Sequence, residues 1–248
     1  AGYLHLSGEP GSPPARMGLS IVDYMTGITT AVAILSSLVG VLKGGRGHDI
    51  DVSLFDVALH QLTYPGAWYL NSGYRTERLP RSAHPSTVPV QLQRTADGWI
   101  FIMCMTQKFW VELVRTLERP DLLTHADYAT VEARRANRDA LTAVLDDLLS
   151  TATTADWLGR LQGVLPAAPV YNLPQALDNP YLRTIGMVKD LPHPAQEGYR
   201  VLANPIKLDG DRLPSRRAPQ LGEHTEAVLR ELGYDATAIA NLRANGAA

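Results

Sequence analysis

Hydrophobic and polar positions divide this chain into segments of unequal character. Residues 1–18 carry Gly8-Glu-Pro-Gly-Ser-Pro-Pro14 and read as a loop, because Gly and Pro interrupt regular structure. From Ile21 to Leu42 the pattern reverses. Ile28, Ala31, Val32, Ile34, Leu35, Leu38 and Val39 put apolar groups on nearly every side of a helix. Such a helix needs partners all round, so it is expected inside a protein core. Asp23 is expected to cap its first turn, and Gly44-Gly45 to stop it. The same stretch is long enough to cross a bilayer. Asp23, Gly27, Gly40 and the hydroxyls between Thr26 and Ser37 favour a protein interior instead.

Ile50, Val52 and Leu54 alternate with Asp49, Asp51 and Ser53, which predicts a short strand with one wet face. A helix is expected from Phe55 to Leu70, kinked or ended early by Pro65. Residues 71–89 are rich in Gly, Pro, Ser and charge, the character of a connection that separates domains or lines a site. Val88 to Met105 reads as a β-hairpin turning at Asp97-Gly98. Helical patterns follow at Lys108–Leu117, Asn137–Leu149 and Ala155–Leu161, the last capped by Thr153 or Thr154. A short strand is expected at 166–171, a helical turn at Leu173–Leu177, strands at Tyr199–Leu202 and Ile206–Leu208, and a terminal helix at His224–Leu232. Alternating strands and helices make the class mixed α/β.

Composition narrows the chemistry. With 23 basic and 25 acidic residues the formal charge is −2, and no basic stripe invites nucleic acid or an anionic membrane. One cysteine, Cys104, excludes an internal disulfide framework and a cysteine zinc cage, and points to a reducing compartment such as the cytoplasm. The seven histidines include no pair at metal-ligand spacing, so no metal is expected. His48 falls in a loop, His60 on a helix and His224 at a helix start; His5, His125 and His193 are isolated. Gly44-Gly-Arg-Gly47 follows a helix and lacks the Gly-Lys-Ser/Thr pattern, which makes it a poor phosphate loop. Asp49 and Asp51 flank a strand, Asp23 caps and Asp97 turns, so none reads as a nucleophile. Cys104 reads as a small packed hydrophobe.

Several motifs occur in one order along the chain. They are Leu19-Ser-Ile-Val-Asp23-Tyr-Met-Thr-Gly27, Lys43-Gly-Gly-Arg-Gly-His-Asp-Ile-Asp-Val-Ser-Leu54, Ser82-Ala-His84-Pro-Ser-Thr-Val-Pro89, Thr95-Ala-Asp97-Gly98-Trp99, Leu202-Ala-Asn-Pro205-Ile-Lys and Ala218-Pro-Gln-Leu-Gly-Glu-His-Thr-Glu226. In that order they resemble the family III CoA-transferases, which also include acyl-CoA racemases. The resemblance implies a doubly wound large domain with a smaller inserted α+β domain, assembled as an interlocked homodimer. On this chain it implies a large-domain core segment at 1–75, a connecting site loop at 76–87, the small domain at 88–190 and a return to the large domain at 191–248.

The chemistry implied is exchange of CoA between an acyl-CoA and a free organic, possibly dicarboxylic, acid, with no prosthetic group. A carboxylate attacks the acyl-CoA to give a mixed anhydride, which CoA thiolate opens to an enzyme thioester. In the family that carboxylate belongs to a Gly-Phe/Tyr-Asp motif expected upstream of Ala1, so no catalytic residue is assigned within these residues. Without that upstream part, the helix at 23–42 is expected to expose an apolar patch and the isolated chain to associate. Ser82, Ala83, His84 and Pro85 stand where formyl-CoA transferase has a glycine-rich closing loop. His-Pro replaces the glycines, and His84 could donate a hydrogen bond to an acyl oxygen or an acceptor carboxylate. It reads equally as a loop histidine satisfied by its own backbone. Arg16, Lys43 and Arg46 are candidates to approach a CoA phosphate or a partner subunit. Two other readings stay open: an acyl-CoA racemase of the same fold, and a non-catalytic remnant that dimerises or binds.

Overall fold

The structure is a computed structural model and describes residues 1–247. The chain divides into two compact units, Ala1–Val170 and the residues from Tyr171 onward. In the first unit, α1 (Tyr3–Leu6) is a single turn and α2 (Ile21–Leu42) is the long apolar helix. Then come α3 (Leu54–His60), α4 (Thr63–Ser72) and a 3-10 turn at Pro80–Ser82. Strands β1 (Val90–Arg94) and β2 (Trp99–Met103) form the hairpin. They are followed by α5 (Gln107–Thr116), α6 (Asp121–Thr124), α7 (Val131–Ala136), α8 (Arg138–Leu149), α9 (Thr154–Leu161) and β3 (Ala167–Pro169).

The second unit is lighter. It holds α10 (Leu173–Leu177), α11 (Pro180–Thr184), the ribbon β4 (Val188–Asp190) with β5 (Arg200–Leu202), and the ribbon β6 (Lys207–Leu208) with β7 (Asp211–Arg212). It closes with α12 (Thr225–Glu231) and α13 (Ala236–Ala244), which touch each other. Arg212 ties this unit together by donating to the carbonyls of Ile185 (3.1 Å) and Asn204 (3.1 Å). Every strand pair among the described residues is antiparallel, so the mixed class holds but the doubly wound layer is not built from these residues.

The principal core lies on the three-stranded sheet β1-β2-β3. Register pairs Val90 with Met103 and Arg94 with Trp99, so the predicted turn spans residues 95–98 and closes with Thr95 N–H donating to the Gly98 carbonyl. Ile100 and Ile102 leave one face of β2, and helices cover them. On α8 the spacing Leu141, Leu145, Leu149 lines up one fully buried stripe, as a four-residue repeat does on a helix. Trp110 and Leu113 on α5 and Trp157 and Leu161 on α9 complete the packing. Thr153 and Asp156 form a reciprocal capping box at the start of α9, which confirms Thr153 as the cap.

Four local expectations are corrected. Residues 50–54 form no strand; an isolated strand has nothing to satisfy its backbone groups, and no described segment pairs with it. The helix expected from Phe55 to Leu70 is two helices, broken at Gln61-Leu62 with Thr63 at φ 48°. Pro65 sits in the first turn of α4, where its missing N–H costs nothing, so it opens the second helix and does not end the first. Asp23 is the third residue of α2, not its cap; Ser20 holds that position without a side-chain bond, and Asp23 still faces the positive end of the helix dipole. The helix near the end is not terminal: α13 follows, capped by Asp235 accepting from the Ala238 N–H at 2.8 Å.

The long helix itself is the largest surprise for an interior reading. No residue of α2 is buried; Ile28, Val32, Leu35 and Leu38 are each at least half exposed. Its contacts within the chain run to α3, whose Val57 and Ala58 are buried. By length and composition alone it could cross a membrane. Its exposed apolar residues, Ile28, Val32, Leu35 and Leu38 among them, form an apolar face that an all-round apolar helix would ordinarily cover with protein.

Candidate functional site

The segment from Pro80 to Pro89 is built from both ends inward. Arg81 (φ 60°) and Ser82 (φ 53°) occupy the left-handed region, at about 1 kcal/mol or more each for residues with a Cβ. Two acids hold this bend. The Arg81 backbone N–H meets the Glu9 carboxylate at 3.0 and 3.1 Å, and the Arg81 guanidinium pairs with Asp146 of α8. Asp146 also accepts from the Arg94 N–H at 2.8 Å, so one carboxylate ties the bend to β1. Arg81, Gln91, Arg138, Thr142 and Asp146 line a cleft of about 350 Å³ beside it.

Beyond the bend the backbone is held at successive points. His84 N–H donates to the Val90 carbonyl at 2.9 Å, and Cys104 N–H to the Pro89 carbonyl at 2.9 Å. Two arginines from neighbouring helices take carbonyls. Arg138 Nη2 donates to His84 O at 2.8 Å, and Arg134 Nε to Val88 O at 2.9 Å, just before the cis Val88-Pro89 bond. Arg134 is 1% exposed, and among the described residues it forms no salt bridge. Its guanidinium instead serves the carbonyl of Tyr128 (2.8 Å) and the side chain of Gln107 (2.9 Å), and lies 4.7 Å over the Trp110 ring.

The His84 ring turns back on its own loop. Nδ1 accepts from the Ser86 and Thr87 N–H groups, both at 3.3 Å. A ring nitrogen that accepts carries no proton, so the neutral imidazole is the Nε2–H tautomer. Nε2 makes no hydrogen bond among the described residues. Burial, and then the charge of Arg138, hold the imidazole pKa below its usual 6.5, so the ring is neutral at pH 7. Tyr64 packs at 5.8 Å from it, Trp68 at 4.8 Å from Tyr64, and Tyr74 edge-on at 5.7 Å from Trp68. The arrangement offers one N–H donor beside an aromatic wall. That suits an anionic or carbonyl oxygen on a small organic group.

Of the four expected site residues, only His84 engages both the loop and its aromatic surroundings; Ser82 is exposed, and Ala83 N–H closes the 3-10 turn on Pro80 O. Arg16, Lys43 and Arg46 are exposed. His5 meets Glu77 at 3.1 Å, His125 stacks on Tyr128, and His193 packs tilted against Tyr199. His224 stands before α12 without a side-chain cap bond. No cluster of metal-ligating side chains occurs among the described residues. Burial pushes the Cys104 thiol up to about 12, so it stays protonated, in keeping with a packing role. Sequence reasoning passed over Arg134, Arg138 and Tyr64–Trp68. The signals available were an arginine at a core-facing position and an i, i+4 aromatic pair.

Comparison with known proteins places these features in a family. The sequence profile described as CoA-transferase family III matches residues 1–225. An acyl-CoA transferase of Fusarium pseudograminearum is 32% identical over 99% of this chain and 55% of its own length. A succinyl-CoA:mesaconate CoA-transferase of Haloarcula hispanica is 31% identical over 94% of this chain and 58% of its own. The human succinyl-CoA:glutarate CoA-transferase is 28% identical over 99% and 57%. Among solved structures, a CAIB/BAIF family protein from Brucella suis superposes with a TM-score of 0.74 at 32% identity, covering 93% of this chain and 60% of that one. The chain thus spans a little over half the length of the curated relatives it matches. With the profile covering nearly the whole sequence and the fold shared with a solved member, the chain belongs to CoA-transferase family III.

Proposed function

We propose that these residues form part of a CoA-transferase that moves CoA from an acyl-CoA to a free organic acid, with a dicarboxylic acid as the acceptor. The observation that carries the dicarboxylic reading is the His84 ring: neutral, with Nδ1 satisfied by its own loop and Nε2–H left to donate. Relatives named for succinate, glutarate, mesaconate and oxalate support the same class of acid. Ser82, Ala83, His84 and Pro85 then form the substrate-binding loop, with His84 donating to the distal carboxylate or the acyl oxygen.

In this reading the nucleophile is an aspartate on polypeptide N-terminal to Ala1. Its carboxylate attacks the thioester carbonyl, the C–S bond breaks, and CoA leaves as thiolate. The thiolate attacks the aspartyl carbonyl of the mixed anhydride, releasing the donor acid and leaving an enzyme–CoA thioester. Attack by the acceptor carboxylate then runs these steps in reverse. Coenzyme A is a substrate here, and no prosthetic group takes part. The segments 1–75 and 191–248 belong to a doubly wound large domain, 88–190 to the inserted domain, and the working form is an interlocked homodimer in the cytoplasm. The apolar face of α2 supports a requirement for further protein surfaces.

The test uses the full-length polypeptide with succinyl-CoA as donor, glutarate or acetate as acceptor, and product thioesters followed by mass spectrometry. We expect kcat/KM for glutarate to exceed that for acetate by about tenfold or more, and His84→Gln to narrow the ratio. Epimerisation of a 2-methylacyl-CoA without transfer would favour the racemase. Absence of both activities would favour a non-catalytic binding piece.

A further inference from the structure

The loop that presents His84 is gripped by two cations whose targets are backbone carbonyls, not acids. Arg138 opens α8 and reaches the His84 carbonyl at 2.8 Å; its other guanidinium nitrogen lies 3.5 Å from Gln91 Oε1. Gln91 is buried on β1 and is itself fixed by donating to Thr142 at 2.7 Å. With Arg134 on the Val88 carbonyl, both ends of His84-Pro-Ser-Thr-Val88 are tied to the helices over the sheet. A mobile lid needs weak ties and glycines; this segment has neither.

We infer that Arg138 is a positioning residue for the acyl-acceptor site: by holding the His84 carbonyl it fixes the ring with Nδ1 on its own loop and Nε2–H toward the acceptor carboxylate, making 84–88 a rigid platform. This rests on the acceptor role proposed for His84. The residue acts through His84 and does not touch substrate. A guanidinium suits the task because its rigid planar fork directs one nitrogen to the carbonyl at 2.8 Å and another toward Gln91 at 3.5 Å, whereas a lysine ammonium has no fixed fork. The charged and titratable groups near the pair are Asp139 and Arg135 around Arg138, with Tyr64 against the ring and Tyr74 toward the guanidinium. Arg138 also helps to keep the ring neutral, so the loss of its charge moves the His84 titration upward.

The experiment compares Arg138→Met, Arg138→Lys, His84→Gln and the double variant in the full-length polypeptide, with near-UV circular dichroism as the check on folding. Steady-state kinetics vary acceptor and acyl-CoA separately, and heteronuclear NMR follows the His84 imidazole. For R138M we expect an acceptor KM raised about tenfold, an acyl-CoA KM within about twofold of the parent, and an upward His84 titration. The double variant should match H84Q within about twofold, because both changes break one unit. R138K keeps the charge and loses the fork. It should hold the low titration with an acceptor KM raised about threefold, and it decides the matter if R138M does not fold. Multiplying effects of H84Q and R138M, or a parent-like acceptor KM in R138K, would overturn the proposal. If H84Q leaves the acceptor KM unchanged, the acceptor role of His84 falls. The positioning role then fails or stands on whether the His84 tautomer and titration move in R138M.

Discussion

At the scale of single residues, two side chains matter most for order around the loop. Arg134 is a buried cation with four polar partners and an aromatic face but no carboxylate at salt-bridge distance among the described residues. Its removal leaves the Val88 and Tyr128 carbonyls without donors in a dry site. Arg134→Met is therefore expected to lower stability by about 3 kcal/mol, read as a shift in denaturant midpoint at unchanged m-value. A loss below about 1 kcal/mol would mean that water replaces the guanidinium. His84 gives a pH effect of definite sign. Its folded pKa lies below the unfolded 6.5, so as pH falls past 6.5 the unfolded chain takes up a proton that the folded one resists. The contribution is fully present above 6.5 and is lost as pH drops through the folded value. Comparing the denaturation midpoint at pH 8 and pH 5.5 should show a smaller acid loss in H84Q than in the parent; an identical loss would contradict the assignment.

At the scale of elements, the hairpin and helices α5, α8 and α9 were legible because each carries its own punctuation, whereas the short helices α6 and α7 were not. Asp97-Gly98 marks the turn, Thr153 and Asp156 mark a helix start, and the Leu141-Leu145-Leu149 stripe marks a buried face. Leu145→Ala should cost about 3 kcal/mol, since its site lies between α8 and the sheet with no solvent to refill it. Thr153→Ala should cost about 1 kcal/mol by releasing the Asp156 N–H. Both are read from equilibrium unfolding, and Thr153→Ser should restore most of the cap. What was not legible depends on tertiary partners. Residues 50–54 alternate like a strand but find nothing to pair with, and periodicity carries no information about neighbours. The carbonyl grips of Arg134 and Arg138 were hidden for a related reason: an arginine in a helix normally reads as a solvated face. His84 was visible only as a choice between a loop residue and a donor. The structure bears out the loop description, with Nδ1 accepting from the Ser86 and Thr87 N–H groups, and Nε2 makes no hydrogen bond among the described residues.

At the scale of the whole molecule, α2 dominates. A helix with apolar residues on every side and none of them buried cannot be the resting surface of a dispersed protein. The 248-residue chain on its own is expected to elute in size-exclusion chromatography with light scattering as a dimer or larger species, and to bind a hydrophobic dye strongly. A dispersed, dye-silent monomer would contradict the need for covering surfaces. The most direct measurement is intact and peptide-level mass after the full-length polypeptide is incubated with succinyl-CoA and then denatured. The proposed function requires an enzyme–CoA thioester on an aspartate N-terminal to Ala1, formed from succinyl-CoA and discharged by a dicarboxylate acceptor. An adduct on a residue within 1–248, or transfer by these residues alone, would contradict it.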